Sequence, residues 1–145
     1  MNSKDSIRVA LIGAGNFAQR QHLPNLYRIP EAMLSIICDM NFDLAERLCS
    51  RYAVPASNAS SASTPQPESD YRKVLANPDI DAGVIATRSD LQPSLAAEAL
   101  KAGLAADEKN MGSALFIEAA ARNNLRAQIV SKNIAKIDEA HFPVL

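Results

Sequence analysis

The chain has 145 residues, with 15 basic against 16 acidic side chains and a formal net charge of -1; that balance excludes the electrostatic footprint of a nucleic-acid or anionic-membrane partner. At this length one domain with a single buried core is expected. The polar start, MNSKDSIR, lacks a signal-peptide core, and no stretch approaches the ~20 apolar residues of a membrane span, so a cytoplasmic setting is expected.

In chain order, IRVALI (7–12) is continuous and β-branched, as a strand covered on both faces should be. LSIIC (34–38) and AGVIA (82–86) repeat that pattern. Between them, FDLAERLCSRY sets Leu44, Leu48 and Tyr52 four apart, beside Ala45 and Cys49, which makes one apolar helical face. The small, polar, proline-bearing interval 56–70 reads as a flexible surface loop. SDLQPSLAAEALKAG offers Ser89 or Asp90 as an N-cap, a stripe of Leu91, Leu95 and Ala99, and Gly103 as a stop. SALFIEAAARNN is expected to be a further helix, LRAQIV a last strand, and 131–145 a tail. Strands alternating with helices predict an α/β fold: a Rossmann-type, doubly wound, mainly parallel sheet of five or six strands with helices on both faces.

Cys38 and Cys49 fall in apolar segments without metal-ligand spacing and read as buried thiols, and no metal site is expected. Met33, Met40 and Met111 follow no helical stripe and read as core filler.

The residues carrying chemistry sit between the first strand and the next helix. Gly13-Ala14-Gly15-Asn16-Phe17-Ala18 is G-x-G-x-x-A. In that setting the first glycine permits a tight turn, the second lets the backbone approach a pyrophosphate, and a small third residue lets helix and strand pack closely. Amide groups and the helix dipole then attract phosphate without a lysine. Asp39 ends the second strand 24 residues after Gly15, where a carboxylate accepts hydrogen bonds from the adenosine ribose and repels a 2'-phosphate, favouring NAD over NADP. A plain turn with Asp39 as a helix cap, or a methyltransferase site, fits the same glycines and acid.

RVALIGAGNFAQRQHLPNL, DMNFDLAERL, DYRKVLANPDIDAGVIAT and PSLAAEALKAG together resemble the nucleotide-binding half of the glucose-fructose oxidoreductase / inositol dehydrogenase / rhizopine catabolism protein family, in order over roughly residues 7 to 112. The resemblance implies hydride transfer between a nicotinamide cofactor and a sugar, inositol or similar alcohol, with a small polyol substrate and a homo-oligomer as further expectations. It adds Thr87 and Glu108 to Asn16, Phe17 and the fingerprint residues as cofactor contacts, and it makes Lys109 the candidate catalytic residue. The family's Glu-Lys-Pro motif is here Glu108-Lys109-Asn110, and an X-Asn bond lacks the ready access of X-Pro to the cis form. Leu104-Ala105-Ala106-Asp107 lacks β-branched residues, so the fifth strand is expected to be eroded. Arg88 stands where relatives often carry proline. The family's second, substrate-binding domain is expected to be absent from residues 1–145, leaving an incomplete catalyst. A non-catalytic nucleotide-binding module and an interaction protein that binds no cofactor are the alternatives. Asp138 and His141 form a tail pair with helical i, i+3 spacing, and His22 is expected to pack or cap near the glycine turn.

Overall fold

Alternate residues of β1, Ile7–Ile12, point into two different cores. Ile7, Val9 and Leu11 join one buried cluster, and Ala10 and Ile12 join the other. That is the consequence of a period of two in a strand with helices over both faces. The computed structural model describes residues 7–29, 32–53, 64–88, 90–101, 104–111 and 114–119.

From β1 the chain enters a helix at Asn16 that passes through a π-helical turn, Ala18–His22, into α1, Leu23–Arg28. β2, Ala32–Cys38, leads to α2, Phe42–Arg51. α2 is N-capped by Asn41, whose side chain accepts from the Leu44 N–H at 3.2 Å. β3, Gln66–Glu68, precedes α3, Tyr71–Ala76, where the Asp70 carboxylate accepts from Arg72 N–H. β4, Ala82–Ile85, and α4, Gln92–Lys101, follow, and then β5, Leu104–Met111, and β6, Ala114–Ala119.

The sheet order is β3-β2-β1-β4-β6-β5, with the first four strands parallel and β6 antiparallel to both its neighbours. Leu23, Leu26 and Ile29 near α1, with Ala45, Leu48 and Cys49 of α2, cover one face. Val74 and Leu75 of α3, Ile80 and Leu95 of α4 cover the other. The fold is therefore the doubly wound α/β arrangement expected. A bulge in β2 keeps its two faces in step with β1: Val9 pairs with Leu34 and Ala10 with Ile36, so Ser35 is an extra residue. Leu34 and Ile37 consequently pack on the same cluster although they are three apart.

Several expectations are corrected. Residues 114–119, taken for the start of a helix, form β6. Leu115, Phe116 and Ile117 are strand formers in succession, and pairing with β4 and β5 overrides the helical preference of the alanines around them. The fifth strand is eight residues long rather than eroded, and it lies at the sheet's edge. Within the interval read as a loop, Gln66–Glu68 pairs with Ile36–Cys38, and Pro67 is tolerated because β3 is an edge strand. Met40 is 92% exposed in the turn after β2, so it fills no core. The first bond of α4 runs from Leu95 N–H to the Leu91 carbonyl, and the Asp90 carboxylate pairs with Arg88 instead of capping. Ser89, Gly103, LRAQIV, Asp138, His141 and the tail 131–145 lie outside the described residues.

Candidate functional site

Strand order reverses at β1: the chain moves outward through β2 and β3 on one side and crosses to β4 on the other. In such a sheet the carboxyl ends of the two strands at the reversal leave a crevice, and ligands bind there. The glycine turn lies across it.

Gly13 has φ +95°, and a Cβ there would stand 2.9 Å from the carbonyl carbon and oxygen of Ala86 and from the Thr87 nitrogen. The turn after β1 and the loop after β4 are thus in backbone contact, and only glycine fits. Gly15 differs. It is exposed, its φ is not positive, and a Cβ would meet nothing within 4 Å. The fold makes no demand for glycine at this position, whereas a ligand seated over the backbone would.

Asp39 joins the two sides of the site. Its Oδ2 accepts from Ala14 N–H at 2.9 Å and its Oδ1 from Asn41 N–H at 2.8 Å. Its own N–H donates to the Glu68 carbonyl at 3.0 Å, while Gly13 N–H donates to the Cys38 carbonyl at 2.8 Å. A carboxylate has about four acceptor positions, so each oxygen keeps one for a hydroxyl. Beneath it, burial and then the carboxylates of Glu68, Asp39 and Asp70 push the Cys38 thiol up to about 12. That sulfur is therefore inert, and both cysteines are free and buried, in accord with their apolar setting.

Ala18 is buried in the cluster with Leu11 and Ala14, meeting the need for a small residue where helix and strand approach. Asn16 is exposed and Phe17 half-buried, with its ring edge-on to His22 at 5.2 Å. His22 is fully buried, and burial lowers its pKa to about 4, so it is a neutral packing residue, as its position suggested. The sequence did not single out Gln19, whose Nε2 donates to the Ala14 carbonyl at 2.8 Å and whose N–H donates to Gly15 at 3.0 Å. Its position four residues after Gly15, on the helix that follows the turn, was the available signal.

Gly13, Gly15, Asn16, Phe17, Ala18, Asp39 and Thr87 are thus gathered around one crevice. Glu108 and Lys109 are not gathered with them. They lie on β5, three strands from β1 in the sheet order, or about 14 Å at ~4.8 Å per strand. Between the pairs Asp107–Phe116 and Met111–Ala114, four steps of β5 match two of β6, so Glu108, Lys109 and Asn110 occupy an irregular bulge. No helix among the described residues is long and apolar enough to cross a membrane.

The open Gly15 backbone and the half-used Asp39 carboxylate fit a dinucleotide, and solved structures support that fit. A 3-ketoreductase from Actinomadura kijaniata, KijD10, in complex with NADP is 28% identical, with a TM-score of 0.57 over 68% of this chain and 28% of that one. A myo-inositol dehydrogenase from Corynebacterium glutamicum is 26% identical, with a TM-score of 0.54 over 68% of this chain and 26% of that one. A probable dehydrogenase from Thermotoga maritima, 21% identical with a TM-score of 0.55 over 67% of this chain and 26% of that one, shares the fold. The chain spans between about a quarter and 28% of the length of these structures. No curated protein matches it. Residues 7–106 match the model of the Gfo/Idh/MocA oxidoreductase family, NAD-binding Rossmann fold, and the chain belongs to that family.

Proposed function

We propose that the crevice between β1 and β4 binds NAD in preference to NADP, and that the chain supplies the nucleotide-binding part of an oxidoreductase acting on a sugar, inositol or similar alcohol. The observation that carries this reading is the Asp39 carboxylate tied at 2.9 Å to the amide of Ala14 in the glycine turn. On this reading the bond joins the ribose acceptor to the pyrophosphate cradle in one unit. Gly15 and the first helical turn from Asn16 would face the pyrophosphate through backbone amides. Asp39 would accept the ribose hydroxyls, and its charge would oppose a 2'-phosphate. Thr87, against Gly13, would line the opposite wall. The bound cofactor would supply the hydride chemistry; the residues described here hold and orient it.

The test is calorimetric titration of NADH and NADPH into the folded chain and into Gly15→Val. Saturable NADH binding is expected, with NADPH weaker by at least tenfold. Gly15→Val should lose at least tenfold for NADH with little change in unfolding temperature, because a Cβ at this position meets no protein atom within 4 Å. A folded chain that never saturates with NADH overturns the reading.

The position of Lys109 on the far edge strand favours a second reading, a nucleotide-binding module without turnover. NADH would bind equally to Lys109→Ala, and no polyol would be oxidised by either protein. Lys109-dependent turnover would restore the first reading in full.

A further inference from the structure

We infer that Arg88 is an exchangeable counter-ion, paired with Asp90 in the free protein and turned onto the cofactor's pyrophosphate on binding, so that Asp90 sets affinity by competing for it. The inference rests on the cofactor site proposed above. Residues 13–19 of the glycine turn contain no basic side chain, Arg20 following only in the second turn of the helix, so backbone amides are the groups nearest to a ligand carrying two negative charges there. Arg88 is the residue next to the wall of that turn: the Ala86 and Thr87 backbone stands 2.9 Å from where a Gly13 Cβ would be. Its own backbone is held in place, since its carbonyl accepts from Leu91 N–H at 3.0 Å.

The side chain, by contrast, is 78% exposed and can swing without disturbing the core. Its guanidinium forks onto Asp90, Nε to Oδ1 at 3.1 Å and Nη2 to Oδ2 at 2.7 Å. The same fork fits two phosphate oxygens. An exposed ion pair is weakly held, so a doubly charged ligand seated on the neighbouring glycine turn can displace Asp90, at an affinity cost that Asp90 determines.

The test is NADH titration at two NaCl concentrations with wild type, Arg88→Ala, Asp90→Asn and the double variant, each checked by thermal unfolding. Arg88→Ala should weaken NADH about tenfold and flatten the salt dependence. Asp90→Asn should tighten it about threefold, and this gain should vanish when Arg88 is alanine. If Arg88→Ala binds like wild type, or if Asp90→Asn tightens binding equally without Arg88, the inference is wrong; the second outcome would mean that Asp90 acts by plain repulsion. In both cases wild-type binding would leave the proposed function standing. A wild type that does not bind NADH removes both.

Discussion

Two glycines separated by one residue answer to different demands, and substitution should separate them. Alanine at Gly13 meets both a φ of +95° and backbone atoms at 2.9 Å. A loss of roughly 2–3 kcal/mol in the urea unfolding free energy is expected. Alanine at Gly15 enters open space, so it should raise stability by about 0.4–1 kcal/mol by restricting the unfolded chain while weakening NADH. His22 gives a pH dependence of definite sign. Its folded pKa is about 4 against an ordinary 6.5, so between those values the unfolded chain binds more protons. The stabilising contribution of the neutral ring is complete above pH 6.5, falls as pH drops through that window, and levels off below about 4. The loss amounts to about 3 kcal/mol. Urea midpoints at pH 7 and pH 4.5 should show it, and His22→Leu should flatten the slope. Of these residues the glycines and Asp39 were legible from spacing. Which glycine the fold needs was not, because that depends on Ala86 and Thr87, some 70 residues away in the chain.

At the level of elements, continuous β-branched runs announced β1, β2 and β4, and the four-residue apolar stripe announced α2. Each is local and strongly periodic. β6 was hidden, since a run of alanines beside Leu115-Phe116-Ile117 satisfies a helix equally well, and only the partners on either side, β4 and β5, decide the matter. β3 was hidden for a similar reason: Gln66-Pro67-Glu68 has no strand character apart from the edge of β2 that it joins. The Ser35 bulge also escaped a reading by alternation. Deleting Ser35 would remove the extra residue and leave Leu34, Ile36, Ile37 and Cys38 alternating regularly against Val9–Ile12 on the faces they already occupy. The domain should therefore stay folded, with a change of about 1 kcal/mol or less, read from the shift in urea midpoint at constant m-value.

For the molecule as a whole, the two buried clusters on either side of one sheet follow from parity in β1, and the crevice follows from the reversal of strand order at its end. The covering of both faces was legible once the βαβ rhythm was recognised, whereas strand order is not something that periodicity shows. The place of Glu108 and Lys109 was not legible either, because the hairpin that carries them pairs antiparallel to the rest. A ligand that binds only the folded state should stabilise the entire domain. NADH at one hundred times its Kd is expected to add about 2.7 kcal/mol, a rise in Tm of roughly 5–10 °C for a domain of this size, and Gly15→Val at the same NADH concentration should show about half of it or less.

The Asp39 carboxylate, the ribose acceptor of the proposed site, also bonds to Ala14 and Asn41, and on that proposal the two roles limit how the protein can change its coenzyme. Exchange for a basic residue, the direct route to accepting a 2'-phosphate, would unfasten the glycine turn from the head of α2 in the same step. Serine or asparagine, which remove the charge but keep an acceptor for Ala14, are the passable intermediates. Coenzyme choice and the integrity of the turn are therefore inherited together, and a lineage moving from one dinucleotide to the other has to cross by way of a neutral side chain.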